Sequence, residues 1–187
     1  MPRFVHARET LELPPRGLRL VAVADTHGQA HPNTCDLVAR LAPDHIVHAG
    51  DVGDLAVLDG LRAIAPLSVV RGNIDGATTA LPDAITLTLG ADGKALFTIL
   101  LLHIALYGPK LRADAGRLAR GEHASLVICG HSHVPFLGKD RELTIFNPGS
   151  IGPRRFHLPI VLGLVEIGRE RVMLRHVSCE TGETWVP

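Results

Sequence analysis

The stretch LRLVAVADTHG, residues 18–28, decides the character of the fold. Its first seven residues form an apolar run broken only by Arg19, which is typical of a strand covered on both faces. The run stops at Asp25, and His27 follows two residues later. A buried strand that ends in Asp-x-His places two polar side chains at its carboxyl end. The residues that follow the other predicted strands therefore show whether these two side chains belong to a larger polar site.

The first half of the chain predicts a β-α-β-α-β series, the signature of a parallel sheet. We predict helices with Asn33 and Asp54 as candidate caps. The predicted strands cover 18–24, 45–48 and 67–70, and the predicted helices cover 33–41 and 55–64.

The second half predicts mostly antiparallel structure. The turn Asp92-Gly93 joins strands 84–89 and 94–102 into a hairpin, and 110–123 has a helical pattern. Further strands are predicted at 125–129, 134–138, 142–146, 160–167 and 171–177. Residues 1–16 are expected to be an irregular extension with at most an edge strand. Without repeats, low-complexity tracts or a linker, we expect a single α/β domain over 1–187.

Composition excludes several classes of function. Lys plus Arg and Asp plus Glu each number 19, so the net charge is zero, and nucleic acid is disfavoured as the main ligand. The three cysteines form no C-x-x-C pair and are expected to be free thiols in a reducing compartment. The longest apolar run, 95–102, is too short for a membrane span, and no hydrophobic signal segment opens the chain. We therefore expect a cytoplasmic protein without a membrane partner, and a homo-oligomer stays open.

Polar side chains follow each predicted buried strand. The carboxyl ends of parallel strands meet at one edge of a sheet, where ligands bind, so we expect these side chains to share a common rim. They are Asp25, His27, Asp51, Asn73, His103, His131 and His133.

Oxygen and imidazole donors without thiolate suit hard or borderline divalent cations. Seven donors are too many for one ion and suit two, with Asp51 as the best bridge because its strand is predicted to lie centrally. Residues spaced by two on an extended backbone, such as His131 and His133, point the same way. Taken singly, each motif is as well explained as a turn, a helix cap or a packed histidine. Their joint occurrence at successive strand ends is what indicates a metal centre.

The motifs D-x-H, G-D-x-x-D, G-N-x-D, a lone His and G-H-x-H lie in this order within 25–133, and NPGS follows at 147–150. This pattern resembles the calcineurin-like metallophosphoesterase superfamily, and it is most similar to the small bacterial and archaeal phosphodiesterase branch. The resemblance implies an αββα sandwich, in which two mixed sheets are flanked by helices.

The resemblance also implies two divalent metal ions, with Mn²⁺ expected first and Fe, Zn or Ni as alternatives. The implied reaction is attack of a metal-bound hydroxide on the phosphorus of a small phosphoester, most simply a diester, with Asn73, Asp51 and His103 as the catalytic residues. The ligands implied for the first ion are Asp25, His27, Asp51 and His133. Those implied for the second are Asp51, Asn73, His103 and His131.

Two positions depart from the family pattern. Ile74 stands where many members carry a histidine that protonates the leaving group, so we expect a preference for good leaving groups such as aryl esters. Ile104 follows His103 where the branch often has glycine. Its bulk is expected to narrow the pocket or alter the loop, and so to affect the affinity for the second metal.

Several roles are left open. Asp54 is either the final carboxylate of the motif or a helix cap, Asp75 either orients a ligand histidine or serves a turn, and His48 either supports a ligand or packs in its strand. The pair 154–155 either binds phosphate or is simply exposed, and His157 is a weak candidate for the acid.

Three other functions stay open at this point. A retromer subunit of the same fold serves as a non-catalytic binding scaffold with a degraded metal site, whereas here every ligand position holds a competent side chain. A nuclease usually carries extra domains and basic surfaces, which this short, neutral chain lacks. A phosphomonoesterase or a pyrophosphatase shares the same metal chemistry.

Overall fold

The computed structural model describes residues 4–76 and 80–186, and within them it contains fourteen strands and three helices. The helices are α1 (Thr34–Leu41), α2 (Val57–Arg62) and α3 (Ala113–Gly121). The strands are β1 (His6–Glu12), β2 (Leu18–Val23), β3 (His45–His48), β4 (Leu67–Val69), β5 (Ala84–Ala91), β6 (Lys94–Leu102), β7 (Leu106–Tyr107), β8 (Lys110–Leu111), β9 (Leu126–Ile128), β10 (Phe136–Asp140), β11 (Leu143–Asn147), β12 (Val161–Ile167), β13 (Val172–Ser178) and β14 (Thr184–Trp185).

Twelve of these strands form two six-stranded sheets. The first sheet has the order β1-β5-β6-β9-β11-β10, and the second has the order β14-β13-β12-β2-β3-β4. In the second sheet β2, β3 and β4 run parallel, whereas β12 pairs antiparallel with β2. In the first sheet β6, β9 and β11 run parallel next to the antiparallel β5–β6 hairpin. Both sheets are therefore mixed.

The core has three layers of apolar side chains. Leu20 and Val47 of the second sheet pack with Leu101 and Ile128 of the first, so one layer lies between the sheets. The outer face of the second sheet packs against α1 and α2, while the outer face of the first sheet packs against α3. The architecture is thus the αββα sandwich that the resemblance implied.

A polar contact also ties the two sheets together near one edge. Ser68 on β4 donates a hydrogen bond to Glu9 on β1, at 2.5 Å, and its hydroxyl lies 2.7 Å from His45 Nε2. Because the Ser68 proton goes to Glu9, the oxygen accepts from the ring. This network therefore links strands and does not provide a nucleophile.

The predicted β-α-β-α-β series and the β5–β6 hairpin are confirmed. The helix predicted over 110–123 is shorter, because Lys110–Leu111 pairs with Leu106–Tyr107 and the helix begins only at Ala113. The extension 1–16 is less irregular than expected, since 6–12 form a complete edge strand parallel to β5. Residues 1–3, 77–79 and 187 of the predicted domain lie outside the described part of the chain.

The three cysteines are free thiols, as predicted. No helix in residues 4–76 and 80–186 combines the length and the hydrophobicity that crossing a bilayer requires.

Candidate metal centre

All seven predicted donors lie at one edge of the sandwich, but the strands that carry them belong to two sheets and not to one. Asp25, Asp51 and Asn73 follow β2, β3 and β4 of the second sheet, while His103 and the 131–133 pair follow β6 and β9 of the first. The strand before Asp51, β3, lies between β2 and β4, the other two donor-bearing strands of its sheet, although it is next to the edge of that sheet. The site therefore closes the end of the space between the sheets.

The backbone of this site is unusual. Of the ten non-glycine residues with positive φ in the described part of the chain, five are candidate ligands. Left-handed backbone is rare for residues other than glycine, and such conformations concentrate at functional sites. The strained donors are Asp25, His27, Asp51, His131 and His133, with φ between 50° and 71°.

The first donor group contains Asp25, His27 and His133, whose ligand atoms lie within 4.8 Å of one another. The Nε2 atoms of the two histidines are 3.0 Å apart, and His133 Nε2 is 3.5 Å from Asp25 Oδ1. Asp25 also accepts hydrogen bonds from the backbone N–H of His131, at 3.0 and 3.1 Å. One carboxylate thus ties the end of β2 to the G-H-S-H loop.

The second donor group contains Asp51, His103 and His131, within the same 4.8 Å limit. Asn73 completes it, since its Oδ1 lies 3.0 Å from His103 Nε2 and 2.9 Å from His131 Nδ1. His103 Nδ1 donates to the carbonyl of Ala49 at 2.7 Å. That hydrogen bond fixes the tautomer and aims Nε2 at the oxygen atoms of Asp51 and Asn73, as in metal-ligating histidines.

Asp51 joins the two groups. Its Oδ1 is 3.2 Å from His103 Nε2 in the second group, and its Oδ2 is 3.7 Å from His27 Nε2 in the first. Each oxygen therefore faces a different group, which is the geometry that a bridging carboxylate needs.

Two buried residues hold the loops that carry the donors. The carboxylate of Asp75 accepts from the amides of Val52, Gly53 and Gly72, at 2.7 to 3.1 Å. Asp75 therefore positions backbone and does not orient a ligand histidine. His48 Nδ1 accepts from the amide of Gly50, so its Nε2 carries the hydrogen and donates to Thr26 Oγ1. His48 thus supports the loops after β2 and β3.

Close backbone approach is also built in at Gly72. A Cβ atom there would lie 2.1 Å from Asp51 Oδ1 and 2.2 Å from the backbone nitrogen of Asp51. Only glycine allows the loop after β4 to pass this close to the bridging carboxylate.

The pKa values of Asp25 and Asp51 are shifted in opposite directions. Burial raises the pKa of Asp25 to about 7, against an opposing effect of His103. Burial also acts to raise the pKa of Asp51, but the hydrogen bond and charge of His103 and the amide of Ile74 outweigh it and lower the pKa to about 2. The site therefore keeps one firmly ionised carboxylate between the two groups.

The pKa values of the four histidines also shift in opposite directions: three are lowered, and that of His103 is raised. Burial, followed by the charge of Arg155, lowers the pKa of His27 and brings that of His133 to about 4. Burial and the charge of His103 lower the pKa of His131. Burial also opposes the charge on His103, but Asp51 and Asp25 raise its pKa. Neutral imidazole is the form that binds metal, so three of the four rings are ready ligands.

The structure separates two adjacent arginines that the sequence could not tell apart. Arg155 Nη2 lies 3.1 Å from His27 Nε2 and so borders the first group. Arg154 points elsewhere, donating to the carbonyl of Leu158 at 2.9 Å and pairing with Glu180 at 2.5 Å. Arg155 is the functional candidate that residue patterns did not single out.

The remaining candidates have simpler roles. Asp54 accepts from the amide of Ala56 in the turn ahead of α2, but the N-cap of α2 is Ala56, so Asp54 is not the cap that the sequence predicted. Ile74 is 45% exposed and contributes only its backbone amide, which donates to Asp51. His157 is exposed in the same turn as Arg155. Among residues 4–76 and 80–186, no contact of His157 assigns it the role of acid.

The model of the calcineurin-like phosphoesterase superfamily domain matches residues 18–170. The chain belongs to this superfamily. The match contains every donor of both groups, and superfamily membership implies divalent metal ions.

A curated relative, a "probable metallophosphoesterase" of Methanocaldococcus jannaschii, is 31% identical over 108 residues, or 57% of this chain. The match spans about half of that relative, 53% of its length. Among solved structures, a predicted phosphoesterase from Streptococcus pneumoniae has a TM-score of 0.67 at 22% identity, over 90% of this chain and 92% of the other. Vps29 from Entamoeba histolytica, complexed with Zn²⁺, has a TM-score of 0.71 at 20% identity, over 90% and 96%. These two likenesses show a shared fold.

The donor chemistry fits two cations. His27 and His133 aim ring nitrogens at each other, and His103 aims Nε2 at two oxygen atoms. A positive charge between such atoms satisfies all of them at once, and oxygen-plus-imidazole sets suit divalent metals. Asp25 and Asp51 are buried, while His27 is half-buried and His131 exposed, so solvent reaches the two groups at these histidines.

Proposed function

We propose that this chain is a metal-dependent phosphodiesterase that acts on a small phosphoester through two divalent cations, with Mn²⁺ the first candidate. The observation that carries the proposal is Asp51, whose two oxygens face one donor group each. In this proposal Asp25, His27 and His133 share one cation with Asp51, and Asn73, His103 and His131 share the other with it.

Two such cations, when bound, neutralise charge on phosphate oxygens and lower the pKa of water. The chain itself provides the frame. His27 and His131 at the open side leave room for a phosphate, and the amide group of Asn73 can donate to a phosphate oxygen. Arg155, beside His27, adds a guanidinium suited to the same anion.

Water is the proposed nucleophile because the nearby hydroxyl groups are engaged. Thr26 Oγ1 accepts from His48. Ser132 Oγ accepts from the side chain of Asn147 and the amide of Val134, at 3.1 and 3.3 Å. His48 Nε2 carries its hydrogen and so cannot take the proton of Thr26, and no described residue gives Ser132 a base of the kind that activates a serine nucleophile.

The side chain of Ile74 has no acidic group, so it cannot protonate the leaving group. We therefore propose faster turnover of aryl than of alkyl diesters. Similar rates for aryl and alkyl diesters would argue that another group serves as the acid.

The function is tested with a panel of phosphoesters and defined metals, comparing Asp51→Asn with Asp54→Asn. Both changes neutralise an aspartate of the same G-D-x-x-D motif, but only Asp51 lies between the donor groups. We expect Asp51→Asn to lose more than about a hundredfold in turnover, since even outer partners of metal ligands cost 10–100-fold. Asp54→Asn is expected to lose little.

Bound metal, measured by elemental analysis, gives the second readout. Full metal-dependent turnover of Asp51→Asn would refute the proposed centre. Metal binding by the wild-type protein without hydrolysis of any ester would instead favour the non-catalytic scaffold, the function that the Vps29 likeness makes worth testing. Preference for monoesters would reassign the substrate within the same chemistry.

A further inference from the structure

A cavity of about 710 Å³ opens directly beside the second donor group. Asn73 and His103 line it, and so do Ala115 and Leu118 of α3. Its size falls within the range of about 300–1,000 Å³ that is usual for small-molecule sites. Any phosphoester held at the donor groups would therefore have this space next to it.

Five of the described side chains that line the cavity are apolar, and they are the groups that a neutral ligand would contact. Leu102 and Ala115 are buried, while Ile104 and Leu118 are half-buried. Phe4 is 57% exposed at the mouth. Ile104, the residue that departs from the family pattern, is thus part of an apolar wall next to the donor groups.

The polar groups of the wall already have partners. Arg71 Nε donates to Asp83 at 2.6 Å, and the carboxylate of Asp75 is held by backbone amides. Asp114 pairs with Arg112 at 3.1 Å. The polar groups that a ligand would meet in this cavity are thus already hydrogen-bonded or ion-paired. The described lining residues include three carboxylates and one guanidinium, so their net charge is negative. Such a wall disfavours a further anionic group and favours a neutral one.

We propose that this cavity is a subsite for one ester group of the substrate, and that it takes a neutral, apolar group containing a ring. The inference rests on the proposed phosphodiesterase function and narrows its substrate to aryl or similarly ring-bearing phosphoesters. Small alkyl esters would leave the cavity unfilled, and polyphosphates would bring charge into it.

The test compares phenylphosphonate with methylphosphonate binding to the metal-loaded protein by isothermal titration calorimetry. The two share one charged head group and differ only in the organic group. We expect phenylphosphonate to bind at least about tenfold more tightly. That ratio corresponds to about 1.4 kcal/mol, which burial of part of a ring provides.

Leu118→Trp fills the cavity, so it is expected to bring the ratio of the two affinities towards one. Leu96→Trp, the same change at a leucine that is 51% exposed and does not line the cavity, is the matched control and should keep the ratio. Ile104→Ala is a second variant, which removes apolar wall and should lower the ratio. Circular dichroism and thermal unfolding show whether each variant is folded.

Equal affinities of the two phosphonates in the wild-type protein would overturn the subsite, as would an unchanged ratio in folded Leu118→Trp and Ile104→Ala. If diesters are still hydrolysed in that case, the proposed function stands and only the subsite fails. If no phosphoester is hydrolysed and neither phosphonate binds, the proposed function fails as well.

Discussion

His27 and His133 hold their Nε2 atoms 3.0 Å apart with their rings stacked, the centroids separated by 4.9 Å. Both rings have lowered pKa values, from burial first and from the charge of Arg155 second. Two neutral imidazoles that meet through ring nitrogens can share only one proton. A divalent cation held by these two residues with Asp25 would accept both lone pairs, which makes the contact half of a candidate metal site.

Added divalent metal is therefore expected to stabilise the folded chain. Binding at 100 times the dissociation constant adds about 2.7 kcal/mol to the free energy of unfolding, and each kcal/mol raises Tm by about 2–4 °C in a domain of this size. Scanning fluorimetry with Mn²⁺ against a chelator measures the shift. His133→Ala should lose most of it, whereas the exposed His157→Ala should keep it. An equal shift in both variants would contradict this assignment.

Arg155 is expected to bind phosphate, and Arg154 is not. A cation on His27 takes the lone pair that Arg155 contacts at 3.1 Å and frees the guanidinium for an anion. Because a hydrogen bond to a charged group contributes about 1.5–3 kcal/mol, and exposure weakens this one, Arg155→Ala should raise the inhibition constant of inorganic phosphate by about tenfold. Arg154→Ala should change it less than about twofold. Similar effects from both variants would mean that only general charge matters.

Gly72 is expected to tolerate no side chain. Gly72→Ala puts a methyl group 2.1 Å from Asp51 Oδ1, so the loop or the carboxylate must move. We expect a loss of about 1–3 kcal/mol in unfolding free energy, together with weaker metal binding. Gly121→Ala is the control, because a Cβ at this α3 position meets nothing within 4 Å, and alanine favours helix by about 0.5–1 kcal/mol. Urea unfolding and metal titration of both variants check the contrast.

The donors could be found from the sequence because they obey local rules. An apolar run that stops at Asp25, or at Gly50 before Asp51, shows where a strand ends, and the ends of parallel strands share an edge. The strand ends could be located without knowing how the strands pair. The local sequence pattern is therefore enough to locate the candidate ligands, even though it does not determine how the strands pair.

Other features depend on contacts between distant parts of the chain. The assignment of strands to two sheets is set by pairings such as β12 with β2, which residue periodicity does not reveal. The different roles of Arg154 and Arg155 follow from one turn that directs adjacent side chains apart. The cavity joins Phe4, Ile104 and Leu118, which no local motif connects. Such features require the tertiary structure.

His48 predicts how stability changes in acid. It is fully buried, and burial lowers its pKa from the usual 6.5 to about 4. Between these two pH values the imidazole of His48 is protonated in the unfolded chain but neutral in the folded chain. The free energy of unfolding is therefore unaffected by His48 titration above pH 6.5 and decreases as the pH falls towards 4. At about 1.4 kcal/mol for each pH unit, the loss is roughly 3 kcal/mol.

His48→Gln removes this titration and should lower stability at pH 7, because it disturbs the bonds to Gly50 and Thr26. The difference in unfolding free energy between wild type and His48→Gln, measured with a chelator present so that no bound metal contributes, is the useful quantity, since the other histidines are common to both proteins. Urea unfolding at several values between pH 7 and pH 4.5 measures it. We expect the difference to shrink steadily as the pH falls, because only the wild-type protein loses the His48 contribution. A difference that stays constant would show that His48 is not the buried neutral group that holds these two loops.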